Sequence, residues 1–142
     1  MKLIKHLLDA KGGHIISVTP ETSVLDAIKL MADHGIGSLV VMDDEELRGI
    51  MSERDYARKV IIKGRSSEST LVSEIMTPNV FTTSSAQTVN DCMALMTEKR
   101  IRHLPVVEDN SVIGMISLGD LVQAIISDQK EEIEQLEHYI SG

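Results

Sequence analysis

Aromatic residues are almost absent from this sequence, which has one Phe, two Tyr and no Trp among 142 residues. The apolar fraction is nevertheless 42%, so a core must be built from Ile, Leu, Val and Met. Such a composition argues against disorder and favours buried strands and packed helices. The length suits one domain of ordinary size or two very small domains packed together.

Cysteine is nearly absent as well, since Cys92 is the only one. An internal disulfide is therefore excluded, which fits a reducing compartment. Cys92 lies among apolar residues on a helical pattern, where it is either a buried small hydrophobe or, alternatively, a reactive thiol. The N-terminal stretch "MKLIKHLLDAKGG" lacks the long apolar region of a secretory signal. No stretch approaches the roughly 20 apolar residues that cross a bilayer. We therefore expect a cytoplasmic protein with no membrane association.

Basic charge is sparse, with 14 Lys and Arg against 22 Asp and Glu and a net charge of −8. Residues 128–142 alone carry a net charge of −4. A nucleic-acid surface needs clustered basic residues, so the sequence argues against nucleic-acid binding.

Catalytic and metal-binding patterns are also missing. No G-x-S-x-G or phosphate-loop sequence occurs, and the five histidines lack the spacing of metal ligands; they are His6, His14, His34, His103 and His138. We expect no catalytic residues and no metal site.

The chain instead repeats itself at a distance of 65 residues. Leu7–Ile62 aligns without a gap onto Val72–Ser127, and "GIMSERD" at 49–55 matches "GMISLGD" at 114–120. Two copies are too few for a solenoid, so we expect a pair packed against each other with pseudo-twofold symmetry. The predicted division is residues 1–62 for the first repeat with an N-terminal lead-in, 63–71 for a polar linker, 72–127 for the second repeat and 128–142 for an acidic amphipathic helix.

Each repeat has the pattern β-α-β-β-α, which predicts an α/β fold of the α+β type. Apolar residues at i, i+4 and i+7 predict the first helix of each repeat, and acidic turns join the last two strands. The strands are predicted over Ile15–Val18, Ile36–Met42 and Leu47–Met51, and over Val80–Thr83, Ile101–Val107 and Val112–Ile116. The second helices are predicted to begin at Ser52 and Ser117.

The last helix continues beyond the repeat with apolar residues at alternating spacings of three and four. Ile126, Ile133, Leu136 and Ile140 belong to this pattern, with Gln129 between them. Such a stripe packs against another surface. That surface is either the body of this chain or a second copy in a dimer.

The repeated Ser-x-x-Asp pattern has two interpretations. The ordinary one is a helix N-cap with a capping box. The other is a ligand site, because a strand that runs into a helix N-terminus presents free N–H groups to a phosphate. The Asp can then accept hydrogen bonds from ribose hydroxyls. The doubling, the preceding Gly and the use of Asp rather than Glu favour the ligand site.

With these motifs the chain resembles tandem CBS (cystathionine-β-synthase-type) domains, the pair called a Bateman module. The family signature Gly, two hydrophobic residues, Ser or Thr, two variable residues and Asp matches both seven-residue stretches quoted above, and "IRHLPVVEDN" and "SEIMTPNV" are also typical. The resemblance covers essentially the whole chain. It implies clefts between the repeats for AMP, ADP, ATP, NAD(H) or S-adenosylmethionine.

The resemblance also implies which residues contact the nucleotide. Asp55 and Asp120 would hold ribose, and Ser52 and Ser117 would contact phosphate. Residues after the first strands and in the second strands would surround the adenine; they are Val18, Thr19, Pro20, Thr83, Ser84, Ser85, Ser38, Leu39, His103, Leu104 and Pro105.

The repeats differ where a phosphate would bind. "KRIRH" at 99–103 corresponds to the nearly uncharged "HGIGS" at 34–38. Strand alternation sends Arg102 and His103 to opposite faces, so we expect at least one of them in the cleft. Arg54 is a candidate in the first repeat. Basic residues with a weaker case are Lys63 and Arg65, and Lys99 and Arg100, which fit a solvated face equally well. We therefore expect the C-terminal site to prefer the more anionic ligand.

The resulting hypothesis is a regulatory nucleotide sensor without catalytic activity. It would be a homodimer that changes conformation on binding an adenosyl nucleotide and signals to an unknown regulated protein. The alternative is a constitutive interaction scaffold whose nucleotide clefts are vestigial.

Overall fold

The computed structural model describes residues 2–12 and 15–141. His14, residue 1 of the first predicted segment and residue 142 of the last one lie outside the described residues. The elements in chain order are α1 (Ile4–Lys11), β1 (Ser17–Val18), α2 (Val24–His34), β2 (Ser38–Asp43), β3 (Glu46–Ser52), α3 (Glu53–Tyr56) with a π-helical continuation (Ala57–Ile61), α4 (Val72–Ile75), α5 (Val89–Lys99), β4 (His103–Glu108), β5 (Ser111–Ser117) and α6 (Leu118–Ser141).

The first repeat has the predicted order β-α-β-β-α, and the α+β fold class is confirmed. The short helices α1 and α4 were not predicted. The chain forms two compact units. Among the described residues, one unit joins residues 2–12 to residues 82–141, and the other holds residues 15–81. Each unit contains one hairpin, β2–β3 or β4–β5, with helices against it.

The first strand of each repeat is shorter than predicted. β1 keeps only two residues, which pair in parallel with β2. The predicted strand over Val80–Thr83 is wrong except at Thr83, which forms a single parallel bridge to Val106. Its N–H donates to the Pro105 carbonyl at 3.0 Å, and its carbonyl accepts from the Val107 N–H at 2.8 Å. The residues before it remain outside a ladder, and Phe81 is 45% exposed, so a buried strand face is not formed there.

The acidic turns are tight two-residue hairpin loops, as predicted. Asp44 and Glu45 have φ of 48° and 72°. Asp109 and Asn110 in the second repeat have φ of 49° and 63°. Positive φ at both central residues is the condition for the type I′ turn, whose twist matches that of the strands.

Each unit has its own aliphatic core between the hairpin and the helices. The first-repeat core contains Val24, Ala27, Met31, Leu39, Val41, Met51, Val60, Val72 and Ile75. The second-repeat core contains Ile4, Leu8, Val89, Cys92, Met96, Leu104, Val106, Ile116 and Leu121. These cores confirm the helical periodicity of α2 and α5 and the aliphatic core that the composition requires.

The segment that completes each core comes from outside the repeat. Ile4 and Leu8 of α1 pack into the core of the second repeat, although α1 precedes the first repeat in sequence. Val72 and Ile75 of α4 pack into the core of the first repeat. The division predicted from the sequence assigns α1 to the first repeat and α4 to the second, opposite to the cores that they enter. Periodicity along the chain does not report which core a short helix enters.

The predicted polar linker, residues 63–71, is packed against the first repeat. The Val24 N–H donates to the Thr70 carbonyl at 2.8 Å, and the Leu25 N–H donates to the Ser67 carbonyl at 2.9 Å. The first N–H groups of a helix have no partner within the helix. The linker supplies these acceptors to α2, and Thr70 is buried as a result.

The final helix extends beyond the body of its unit. Leu121 and Ala124 are buried against the core, whereas residues 129–141 are all exposed. The docking of this stretch on the body, one of the two sequence interpretations, is therefore not observed. Within the described part of the chain, no helix combines the length and apolarity needed to cross a membrane.

Candidate nucleotide-binding corners

The first Ser-x-x-Asp corner lies where β3 ends and α3 begins. Ser52 is the N-cap, and its Oγ accepts from the Asp55 N–H at 3.1 Å. The Asp55 Oδ2 accepts from the Ser52 N–H and from the Ser52 hydroxyl, both at 3.0 Å. The two residues therefore form a reciprocal capping box.

The second corner, between β5 and α6, repeats this geometry. The Ser117 Oγ accepts from the Asp120 N–H at 3.1 Å. The Asp120 Oδ2 accepts from the Ser117 N–H at 2.9 Å. The first N–H of each helix also has an acceptor, the carbonyl of the residue just before β2 or β4. The Glu53 N–H donates to the Gly37 carbonyl at 3.0 Å, and the Leu118 N–H donates to the Arg102 carbonyl at 2.8 Å.

The capping interpretation of the motif therefore applies to both copies. The use of Asp rather than Glu does not argue against a capping box here, since both carboxylates accept from the N-cap N–H. The same sequence pattern also occurs at Ser23–Asp26, where the Asp26 N–H donates to the Ser23 Oγ at 3.1 Å. The motif alone thus specifies a cap, and a ligand site needs further features.

Each corner aspartate also contacts a lysine. The Asp55 Oδ1 lies 3.1 Å from Lys59 Nζ and 3.4 Å from the Thr77 hydroxyl. The Asp120 Oδ2 lies 2.8 Å from Lys11 Nζ, which also donates to the Met115 carbonyl at 3.0 Å. The Asp55 side chain is 13% exposed, and that of Asp120 is 27% exposed.

The electrostatics of the second corner favour an ionised carboxylate. Partial burial by itself would raise the pKa of Asp120, but the Lys11 ammonium and the Ser117 N–H outweigh it, so the pKa is lowered. Hydrogen bonds to the charged form and a nearby opposite charge both act in this direction. Asp120 is therefore an anion, able only to accept hydrogen bonds.

Sequence reasoning missed the partners of both aspartates. Lys59 lies four residues after Asp55 on a helical stretch, a spacing at which opposite charges pair, so a signal was present. Thr77 and Lys11 approach only through the packing of the segments around α4 and α1. Lys11 is 109 residues from Asp120, and nothing in the local sequence indicates the pairing.

A groove of about 380 Å³ opens beside the Asp120 carboxylate, between α1 and α6. Its polar lining includes Lys2, His6, Lys11 and Ser127 in addition to Asp120. Lys2 donates to the Ser127 hydroxyl at 3.4 Å. Two lysines, Lys2 and Lys11, thus line the groove that holds the Asp120 carboxylate, and Lys11 contacts it directly.

Predicted residues of the second strands share a face of their hairpin with the corner serines. Ser38 lies directly opposite Ser52, and His103 lies directly opposite Ser117. Pro105 is two residues from His103 and faces the same side. Their neighbours Leu39 and Leu104 point the other way into the cores, so the structure does not bring those two to the corners.

The residues after the first strands are largely engaged elsewhere. Val18 belongs to the first-repeat core. The Thr19 hydroxyl contacts the Thr22 hydroxyl at 3.0 Å, and the Thr83 hydroxyl contacts the Cys92 sulfur at 3.2 Å. The carbonyls of the other three, Pro20, Ser84 and Ser85, accept backbone hydrogen bonds from Ser73, Gln87 and Lys5.

The predicted basic residues are distributed unevenly. Arg102 precedes β4 instead of lying in it, so strand alternation does not apply to it, and its side chain is exposed. Arg54 is exposed on α3. Arg65 is paired with Glu74 at 2.7 Å. Lys63 and Arg100 are exposed. Lys99 lies 3.8 Å from Glu98.

Cys92 is buried in the second-repeat core. Burial raises the pKa of its thiol, and the Thr83 hydroxyl only partly opposes this. A thiol with a raised pKa is a poor nucleophile, so the structure confirms the interpretation as a buried small hydrophobe. In the part of the chain that the structure describes, no group of His, Cys, Asp and Glu is arranged to hold a metal ion.

Comparison with known proteins identifies the fold. The family profile described as the CBS domain matches residues 12–62 and 72–127. The mitochondrial CBS domain-containing protein CBSX3 of Arabidopsis thaliana is 42% identical over 148 residues, covering 98% of this chain and 72% of that protein.

Solved structures agree with the profile. A protein with CBS domains from Burkholderia ambifaria MC40-6 has a TM-score of 0.87 and 50% identity, covering 90% of this chain and 96% of that one. The CBS domain pair of protein MJ0100, crystallised with 5-methylthioadenosine and S-adenosyl-L-methionine, has a TM-score of 0.81 and 26% identity, covering 90% of this chain and 98% of that one. The chain belongs to the CBS-domain family, as a tandem pair.

Proposed function

We propose that this protein is a regulatory module that binds an adenosyl nucleotide at its Ser-x-x-Asp corners and transmits binding to a partner protein. The observation that carries the proposal is the second corner, where an ionised aspartate lies in a groove lined by basic residues. A nucleotide has ribose hydroxyls that can donate to the aspartate and a phosphate that can bind the basic residues.

At the second corner, one carboxylate oxygen remains available to a ribose. Asp120 Oδ2 accepts from Ser117 and Lys11, while Oδ1 makes no hydrogen bond with the described residues. A pair of adjacent ribose hydroxyls can donate to that oxygen without breaking the capping box. The ammonium groups of Lys2 and Lys11, which line the same groove, would then compensate the charge of a phosphate.

The first corner is less open to the same ligand. Both oxygens of Asp55 already accept hydrogen bonds, Oδ2 from Ser52 and Oδ1 from Lys59 and Thr77. A ribose has to displace Lys59 or Thr77 there, and displacing a bonded group costs affinity. We therefore propose unequal sites, with the more anionic ligand at the C-terminal corner.

The carboxylate at each corner favours ligands with free adjacent hydroxyls, and we take AMP and NAD(H) as the first candidates. ADP and ATP carry the same hydroxyls and more phosphate, and S-adenosylmethionine carries the hydroxyls without phosphate. Support for this class comes from the MJ0100 pair, which was crystallised with two adenosyl compounds.

The proposed role is regulatory and not catalytic. Ligand binding shifts the module between two conformations by its difference in affinity for them, typically a few kcal/mol. A homodimer in the cytoplasm and a separate regulated protein complete this proposal.

A constitutive interaction scaffold is the second candidate. The observation in its favour is that both aspartates already serve as capping residues, which explains the motif without any ligand. The two functions differ in whether nucleotides bind at all.

A thermal-shift assay with AMP, ATP, NAD(H) and S-adenosylmethionine separates them. A ligand at a hundred times its Kd stabilises the folded state by about 2.7 kcal/mol, which raises the Tm of a domain of this size by about 5–10 °C. A Tm that none of the four compounds changes would favour the scaffold.

Substitution of Asp120 then locates the site. Asp120→Asn keeps the shape and an acceptor for the cap but removes the charge, and we expect a Kd about 10–100 times higher, measured by calorimetry. Asp26→Asn is the matched control, since Asp26 holds the same position after a Ser N-cap and is exposed. Equal losses in both variants would place the ligand elsewhere.

A further inference from the structure

The exposed side of α6 carries a continuous apolar stripe. Val122, Ile126, Ile133, Leu136 and Ile140 are all at least 41% exposed. Gln129 fills the remaining position, so the spacing alternates between four and three residues along the whole stripe. This is the seam of a coiled coil, and a single exposed helix does not satisfy it.

The body of this chain does not cover the stripe. Leu121 and Ala124 form the face of α6 that enters the core, and the stripe begins on a different face at Val122. The last contacts with the body are made near Asp128, whose carboxylate lies 3.4 Å from Lys2 Nζ. Beyond that point every described residue is exposed.

The size of the stripe suits a second helix of the same kind. Within residues 126–141 its apolar side chains, with Tyr139 beside them, offer roughly 500 Å², at the upper end of the patches found on monomers. Two such stripes would bury about 1,000 Å² together, which is the lower limit of a specific interface. A reversible dimer of this chain meets that requirement.

The charges beside the stripe distinguish the two possible orientations. In a parallel pair, Glu132 of one helix lies beside Glu137 of the other, twice by symmetry, and like charges repel. In an antiparallel pair centred between Ile133 and Leu136, Lys130 lies beside Glu137 of the second copy. That arrangement has two attractive pairs and no repulsive one.

We propose that residues 126–141 of α6 pair with the same segment of a second copy in antiparallel orientation. Ile133 packs against Leu136 of the second copy, and Gln129 packs opposite Ile140. This interface is independent of the nucleotide and of the corners, so it stands whether or not the proposed function does.

Charge reversal tests the orientation by sedimentation equilibrium of the full chain without nucleotide. Glu137→Lys replaces two attractive pairs by two repulsive ones and should raise the dimer Kd about tenfold. Lys130→Glu combined with Glu137→Lys restores the attraction and should return the Kd to about the parent value. Glu131→Lys, on the outer side of the helix, is the control for the change in net charge.

Disulfide trapping tests the register. Gln129→Cys and Ile140→Cys, mixed and oxidised, should form a disulfide between the two variants, detected with a size tag on one of them. Ile140→Cys alone should not self-link, because the two copies of residue 140 lie about 16 Å apart in this register and a disulfide spans less than about 7 Å between Cα atoms. Glu131→Cys is the control that should not cross-link.

The opposite results overturn the proposal. A lower Kd for Glu137→Lys than for Glu131→Lys, with self-linked Ile140→Cys, would show a parallel pair. A monomer, or a dimer that none of the charge variants changes, would show that a different partner covers the stripe.

Discussion

Replacing the glycine of each signature by alanine should affect the two repeats unequally. Gly49 and Gly114 occupy equivalent positions in the hairpins, and in each case the segment that completes the core approaches the glycine closely. A Cβ at Gly49 would lie 2.6 Å from the Thr77 carbonyl oxygen, which is backbone. A Cβ at Gly114 would lie 2.5 Å from the Leu8 Cδ2, the end of a flexible side chain.

The expected magnitudes follow from what must move. In Gly49→Ala, Thr77 shifts and weakens its two backbone hydrogen bonds with Ile50, now 3.0 and 2.8 Å long. Each is worth about 0.5–1.5 kcal/mol, and overpacking adds about 1–3 kcal/mol. Since alanine gains about 0.5–1 kcal/mol over glycine in a strand, we expect a net loss of about 2–4 kcal/mol. In Gly114→Ala the Leu8 side chain changes rotamer at about 0.5–1.5 kcal/mol, leaving a net loss of about 0–1 kcal/mol.

Urea unfolding followed by far-UV circular dichroism measures both free energies. Leu8→Ala should remove most of the cost of Gly114→Ala in a double-mutant cycle. Met76→Ala should not rescue Gly49→Ala, because the main obstacle there is a carbonyl. A loss for Gly114→Ala as large as that for Gly49→Ala would refute the reasoning.

Two further predictions concern titration. The folded pKa of Asp120 lies below its ordinary value, so its pairing stabilises the fold above about pH 4 and loses this effect as the pH falls further. Lys11→Met should therefore lower the free energy of unfolding at neutral pH and have nearly the parent value in acid. Lys5→Met on the same helix is the control. A difference in the free energy of unfolding that does not change with pH would contradict the pairing. Because burial raises the pKa of the Cys92 thiol, alkylation followed by mass spectrometry should be slow in buffer and fast in urea, and rapid labelling of the native protein would contradict its burial.

Much of the fold could be predicted because the information is local. The apolar spacing of Val24, Ile28 and Met31 places α2, and the polar residue pairs at the two hairpin turns adopt the positive φ that tight turns need. The predicted strand at Val80–Thr83 failed because apolar and β-branched residues alone do not make a ladder. A ladder also needs a neighbouring strand over its full length, and only Thr83 has one.

The candidate site could be predicted only in part. The corners themselves are local, since Ser52 and Asp55 are three residues apart and their capping bonds follow from helix geometry. The face shared by His103 and Ser117 follows from the hairpin register. The strand alternation expected for Arg102 failed because β4 begins at His103, two residues later than predicted, and strand ends are not marked by periodicity.

By itself the sequence determined the repeat, the helices α2 and α5, the two hairpins and the two serine–aspartate caps. The repeat follows from comparing the two halves of the chain, and the other features depend on residues within a few positions of one another, so spacing and side-chain type are sufficient. Only the tertiary structure decided which core α1 and α4 enter and which cation contacts each aspartate. Those choices bring together residues such as Lys11 and Asp120, 109 positions apart, and depend on packing between segments that no local pattern records.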